Sequence, residues 1–63
     1  MSARAELSSL STGLDDLVSR ITRLADTLAG DDREAIGEDL FEVERTLRAA
    51  QRRLVRVLDA ASA

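Results

Sequence analysis

The chain contains no cysteine, histidine, lysine, proline, tyrosine or tryptophan, and its only aromatic residue is Phe41. Without cysteine or histidine it lacks the disulfides and structural zinc sites that rescue many small cores. Without histidine, cysteine, lysine or tyrosine, general acid–base chemistry would fall to carboxylates alone. Asp15–Asp16 and Asp31–Asp32 are pairs of adjacent acids, and neighbouring residues on a helix point about 100° apart, so neither pair converges on one substrate atom. An enzyme is therefore not expected, and catalytic, cofactor and metal sites are each expected to be none.

Other absences narrow the partners. Gly13, Gly30 and Gly37 are isolated, so no glycine-rich phosphate loop is present. A di-metal bundle would place histidines three residues after glutamates, and the ladder Glu34, Glu38 and Glu42 has none. DDREAIGEDLFE misses the oxygen and glycine positions of a calcium loop. Nine arginines against twelve acids leave a net charge of −3, which argues against nucleic-acid binding driven by overall charge. MSARAELSSL holds no long apolar run, so neither a signal peptide nor a membrane span is expected, and the cytoplasm is the expected compartment.

What remains is helix-forming. From Leu7 the apolar residues fall at Leu7, Leu10, Leu14, Leu17, Ile21, Leu24 and Leu28, with spacings that alternate three and four. Val18 and Ala25 widen this stripe. The rule repeats at Ile36, Leu40, Val43, Leu47, Ala50, Leu54, Val57 and Ala61, with Leu58 widening the second stripe. Between them lies AGDDRE, in which Gly30 suits the left-handed position after a helix end, and Asp31 with Glu34 forms a capping box. This pattern predicts one all-α domain, residues 1–63: an antiparallel hairpin of helix 1 (about 3–29), a turn at 30–31 and helix 2 (about 32–60).

The first helix could begin late, because LSSLSTG is rich in hydroxyls and Thr12 with Asp15 resembles a cap. A start near Ala3 gives legs of equal length and is the reading adopted. With a two-residue turn, position i would lie level with 61 − i. Asp15 and Asp16 would then meet Arg45 and Arg48, and Arg20 and Arg23 would meet Glu38, Asp39 and Glu42. Gly37 either tolerates its helix or marks a close approach between helices.

Two helices bury one stripe each, and a chain of 63 residues is marginal as a monomer. The expected remedy is a homodimer packed as a four-helix bundle that covers Val18, Ala25 and Leu58, or completion of the core by a helix of another protein. Arg45, Arg48, Arg52 and Arg56 share an arc of about 80° that points away from the seam. Phe41 and Val55 line the same ridge. The ridge reads either as a solvated face whose cations complement the helix C-terminus or as a docking surface for an acidic or amphipathic protein.

Three functions follow as expectations. The first is a small regulatory adaptor that displays Phe41, Arg45, Arg48, Arg52, Val55 and Arg56. The second is a dimeric sensor that closes its arginines around a phosphorylated small molecule or nucleotide. The third is a structural subunit that only oligomerises.

Overall fold

The computed structural model describes residues 2–30 and 32–62. Two helices, α1 (Ala3–Ala29) and α2 (Glu34–Ser62), fold back on each other as an antiparallel hairpin. No strand occurs among the described residues. The Cα extents of 48 × 18 × 10 Å describe a single layer of two helices side by side. Globular domains usually stack at least two layers around a core; the described residues form one.

Ser2 opens α1: its backbone is extended and its Oγ accepts a hydrogen bond from the Ala5 N–H at 3.1 Å. This satisfies one of the orphan donors of the first turn. The hydroxyl-rich stretch that follows stays helical because Thr12 turns its Oγ1–H back onto the Ser8 carbonyl at 3.2 Å, a bond that satisfies the hydroxyl without breaking the ladder. Thr12 is an interior residue of α1, not its cap.

The connection is longer than the sequence suggests. α2 begins at Glu34, and the Arg33 carbonyl accepts from the N–H groups of Ile36 and Gly37 at 3.0 and 3.1 Å. Gly30 has φ −95° and ψ 13°, outside the left-handed region expected of it. The capping role expected of Asp31 lies outside the described residues.

The later start of α2 accounts for part of a further difference, in register. Thr22 Oγ1 donates to Glu44 Oε2 at 2.9 Å and Gln51 Nε2 donates to Asp15 Oδ1 at 2.7 Å. Residues i and 66 − i are therefore level, five residues from the expected alignment, or about 7 Å along the axis. Asp15 consequently meets Gln51 rather than arginine. Arg45 and Arg48 find their carboxylates on their own helix, in Glu42 at 3.3 Å and Glu44 at 2.8 Å.

Where the helices touch also differs from expectation. Val18 and Ala25, expected to be left for a partner, are the best buried side chains at 2 % and 0 % exposure, with Leu28 at 9 %. The line of contact runs through Leu7, Ser11, Leu14, Val18, Ile21, Ala25 and Leu28 on α1, and through Gly37, Leu40, Glu44, Leu47, Gln51, Leu54 and Leu58 on α2. Gly37 explains the shift. A Cβ built there would lie 3.2 Å from both the Ala25 carbonyl oxygen and the Ala29 nitrogen, so Gly37 is present because backbone approaches backbone, not because the helix tolerates it. Contact between Gly37 and Ala25 rotates each helix away from the centre of its leucine stripe.

Two glycines should respond oppositely to substitution. Gly13 has nothing within 4 Å of a prospective Cβ, so Gly13→Ala is expected to stabilise the helix by about 0.5–1 kcal/mol. Gly37→Ala is expected to yield none of that gain, and Gly37→Val to lower the melting temperature by prising the helices apart. Thermal denaturation followed by circular dichroism at one fixed concentration checks all three. An equal gain from Gly13→Ala and Gly37→Ala would contradict the close approach.

Candidate interaction surfaces

The rotation leaves half of each leucine stripe uncovered. Leu7, Leu14, Ile21 and Leu28 on α1, and Leu40, Leu47, Leu54 and Leu58 on α2, are buried or half-buried between the helices. Leu10, Leu17, Leu24, Ile36, Val43 and Val57 are 44–58 % exposed. Each of these exposed residues, and Ala50 with them, directly precedes a contact residue: Leu17 stands before Val18, and Val43 before Glu44. The offset has the same sense in both helices. Two antiparallel helices rotated in the same sense about their own axes turn their uncovered stripes to the same side. The seven residues therefore form one apolar face, in level pairs Leu10 with Val57, Leu17 with Ala50 and Leu24 with Val43.

The area of this face can be judged against the size of the chain. A folded monomer of 6.8 kDa exposes about 3950 Å² by the usual scaling with mass. The hairpin exposes 4749 Å², roughly 800 Å² more, which is about what each partner of a standard protein interface buries.

The opposite side of the hairpin is polar. Glu44 sits near its centre with its side chain 15 % exposed, accepting from Arg48 Nε at 2.8 Å and from Thr22 Oγ1 at 2.9 Å. The Thr22 hydroxyl has one proton and lies 3.0 Å from the Val18 carbonyl as well, so the two acceptors share it. The hydrogen bond from Arg48 and then that from Thr22 hold the Glu44 carboxyl below the usual glutamate range, against the opposing pull of partial burial. Glu44 thereby joins α1, α2 and the arginine ridge. Asp15 and Gln51 form a second cross-helix pair on the same side.

The ridge itself stands as one strip. Arg45, Arg48, Arg52, Val55 and Arg56 are exposed and Phe41 is half-buried. Phe41, Glu44, Arg45, Arg48 and Arg52 line one shallow depression, and Arg52, Val55 and Arg56 line the next. Glu44 engages the Arg48 guanidinium through its Nε, a contact that does not use the donors of the two terminal nitrogens. Among the described residues no three acids converge as a metal site, and no helix is long and apolar enough to cross a membrane.

Reasoning from the sequence missed Thr22, Gln51 and the capping Ser2. Glu44 and Gln51 had a signal: they are seven apart and each follows a stripe residue, Val43 and Ala50, so they border the seam on one side. Comparisons with family models, with curated proteins and with solved structures find no match for this chain.

The Glu44 contacts predict an acid-dependent contribution to stability. A carboxyl whose pKa is lowered on folding stabilises the fold above its unfolded value of about 4.3 and loses that contribution as the pH falls through the lower folded value. The stability difference between the native chain and Glu44→Gln should be largest near neutral pH and shrink on acidification below about pH 4. Urea titrations at a series of pH values measure it. A difference independent of pH would mean that the carboxylate charge contributes nothing.

Proposed function

We propose that this protein is a small non-enzymatic protein–protein interaction module, an adaptor or regulator, that works as a dimer of hairpins. Its apolar face meets the same face of a second copy to complete a four-helix bundle, and its arginine ridge points outward to an acidic or amphipathic partner protein. One observation carries the reading: six large aliphatic side chains, from Leu10 to Val57, stand exposed on one side of a layer two helices wide. Contiguous apolar surfaces of that extent mark interaction sites on soluble proteins.

The two sides divide the work. Stacking two layers places leucines against leucines in the manner of a four-helix bundle, and it leaves both ridges on the outside of the assembly. Apolar Phe41 and Val55, which flank the arginines, favour a protein partner over bare phosphate, since aromatic and arginine side chains together characterise energetic centres of protein interfaces.

Paired variants test the two sides separately. Leu17→Glu with Val43→Glu should convert the dimer into monomer with lost helicity, seen by sedimentation velocity and circular dichroism. Arg45→Gln, Arg48→Gln and Arg52→Gln together should keep the dimer mass and abolish binding of a helical glutamate-rich peptide in calorimetry. A dimer indifferent to the first pair, or peptide binding indifferent to the three arginines, would reject the corresponding half of the proposal.

A further inference from the structure

Two copies can stack their apolar faces with both turns at one end or with the turns at opposite ends. The charges distinguish these arrangements. Residues 19–47, the turn half of the hairpin, carry four arginines and eight acids, or −4; the remaining residues carry five arginines and four acids, or +1. Each hairpin is thus a charged rod, negative at the turn and positive at the open end. Packed helices lie about 10 Å apart, which is close to the screening length at physiological salt. Stacking with both turns together brings the two −4 halves into apposition. Stacking with turns opposed sets each −4 half over a +1 half.

The residues bordering the apolar face agree with this. On α2 the exposed residues Asp39 and Glu42 lie toward the turn and Arg53 and Arg56 toward the open end. When α2 of one copy runs antiparallel to α2 of the other, Arg53 faces Glu42 and Arg56 faces Asp39 in one and the same alignment. On α1, Asp16 and Arg20 exchange in the same way. Within about two residues of that alignment, or about 3 Å, the aliphatic side chains also interleave: Val43 against Leu54 and Val57 against Leu40 across α2, Leu17 against Ile21 and Leu10 against Leu28 across α1. The alignments required by α1 and by α2 coincide to about one residue, although nothing in the hairpin obliges them to.

Resting on the self-association proposed above, we infer that the two copies lie head to tail, with α1 on α1, α2 on α2, and the turns at opposite ends. The two-fold axis crosses the middle of the apolar face, so each face is complementary to itself. The arginine ridges then lie on opposite outer surfaces and run in opposite directions, which equips one dimer to hold two acidic partners pointing opposite ways. Like charges meet if one copy is reversed, and this excludes the other arrangement in the same way that charged flanks choose orientation in coiled coils.

The absence of cysteine makes the test direct. A spin label on Ala35→Cys, exposed in the first turn of α2, should lie about 40 Å from its mate in the head-to-tail dimer, from 1.5 Å per residue along the helices. A separation under about 25 Å by pulsed dipolar spectroscopy would instead place both turns at one end and overturn the inference. Charge exchange provides a second reading. Arg53→Glu should raise the dimer dissociation constant roughly tenfold, and adding Glu42→Arg to the same chain should restore it, because both reversals then face each other across the axis. Weakening that is merely additive would also overturn the inference. A dimer that fails either test leaves the self-association intact; a chain that sediments as monomer removes both.

Discussion

The close approach of Gly37 to the backbone of Ala25 and Ala29 is the constraint on which the rest of this structure depends. Leucine stripes centred on each helix would, left to themselves, face each other and bury one another. Contact between Gly37 and Ala25 draws the helices together along a line one residue to the side. Ser11, Glu44 and Gln51 are brought into the contact in place of Leu10, Val43 and Ala50. The hairpin that results is held partly by polar bonds, Thr22 to Glu44 and Gln51 to Asp15, and keeps much of its aliphatic surface outside.

That trade has a physical logic. Hydrogen bonds between part-buried side chains contribute about 1 kcal/mol each but specify one alignment, because each requires particular atoms at a particular distance. Aliphatic burial contributes more energy and less specificity. Here the polar contacts fix how α1 lies on α2, and the aliphatic face remains available for whatever completes the layer. The division also separates the two candidate surfaces, since one rotation places leucines on one side and Phe41, Glu44 and the arginines on the other.

How much of this the sequence discloses varies with the kind of feature. Two helices and an antiparallel hairpin follow from three–four spacing interrupted once, at Gly30, and that much is visible in the stripes themselves. The side of each helix that meets the other is not. Leu17 is the better hydrophobe and Val18 the worse, yet Val18 is the buried one, because the choice was made near Gly37 by backbone proximity that no periodicity encodes. The alignment failed for a related reason: α2 starts two residues later than expected, at Glu34, and the close approach of Gly37 to Ala29 sets the first turn of α2 beyond the end of α1, which displaces every cross-helix pair at once. The arginine ridge is legible as a strip because helical spacing alone places Arg45, Arg48, Arg52 and Arg56 together. Its tie to Glu44 and Thr22 needed the second helix in place.

The central claim is that the fold is incomplete until a second layer covers the face from Leu10 to Val57, and melting temperature against protein concentration tests it most directly. For a bundle of two chains, dissociation accompanies unfolding, so the midpoint followed by circular dichroism should climb by several degrees as concentration is raised a hundredfold. A sharp, fully helical transition whose midpoint stays fixed across that range would show that one hairpin suffices, and would contradict the account.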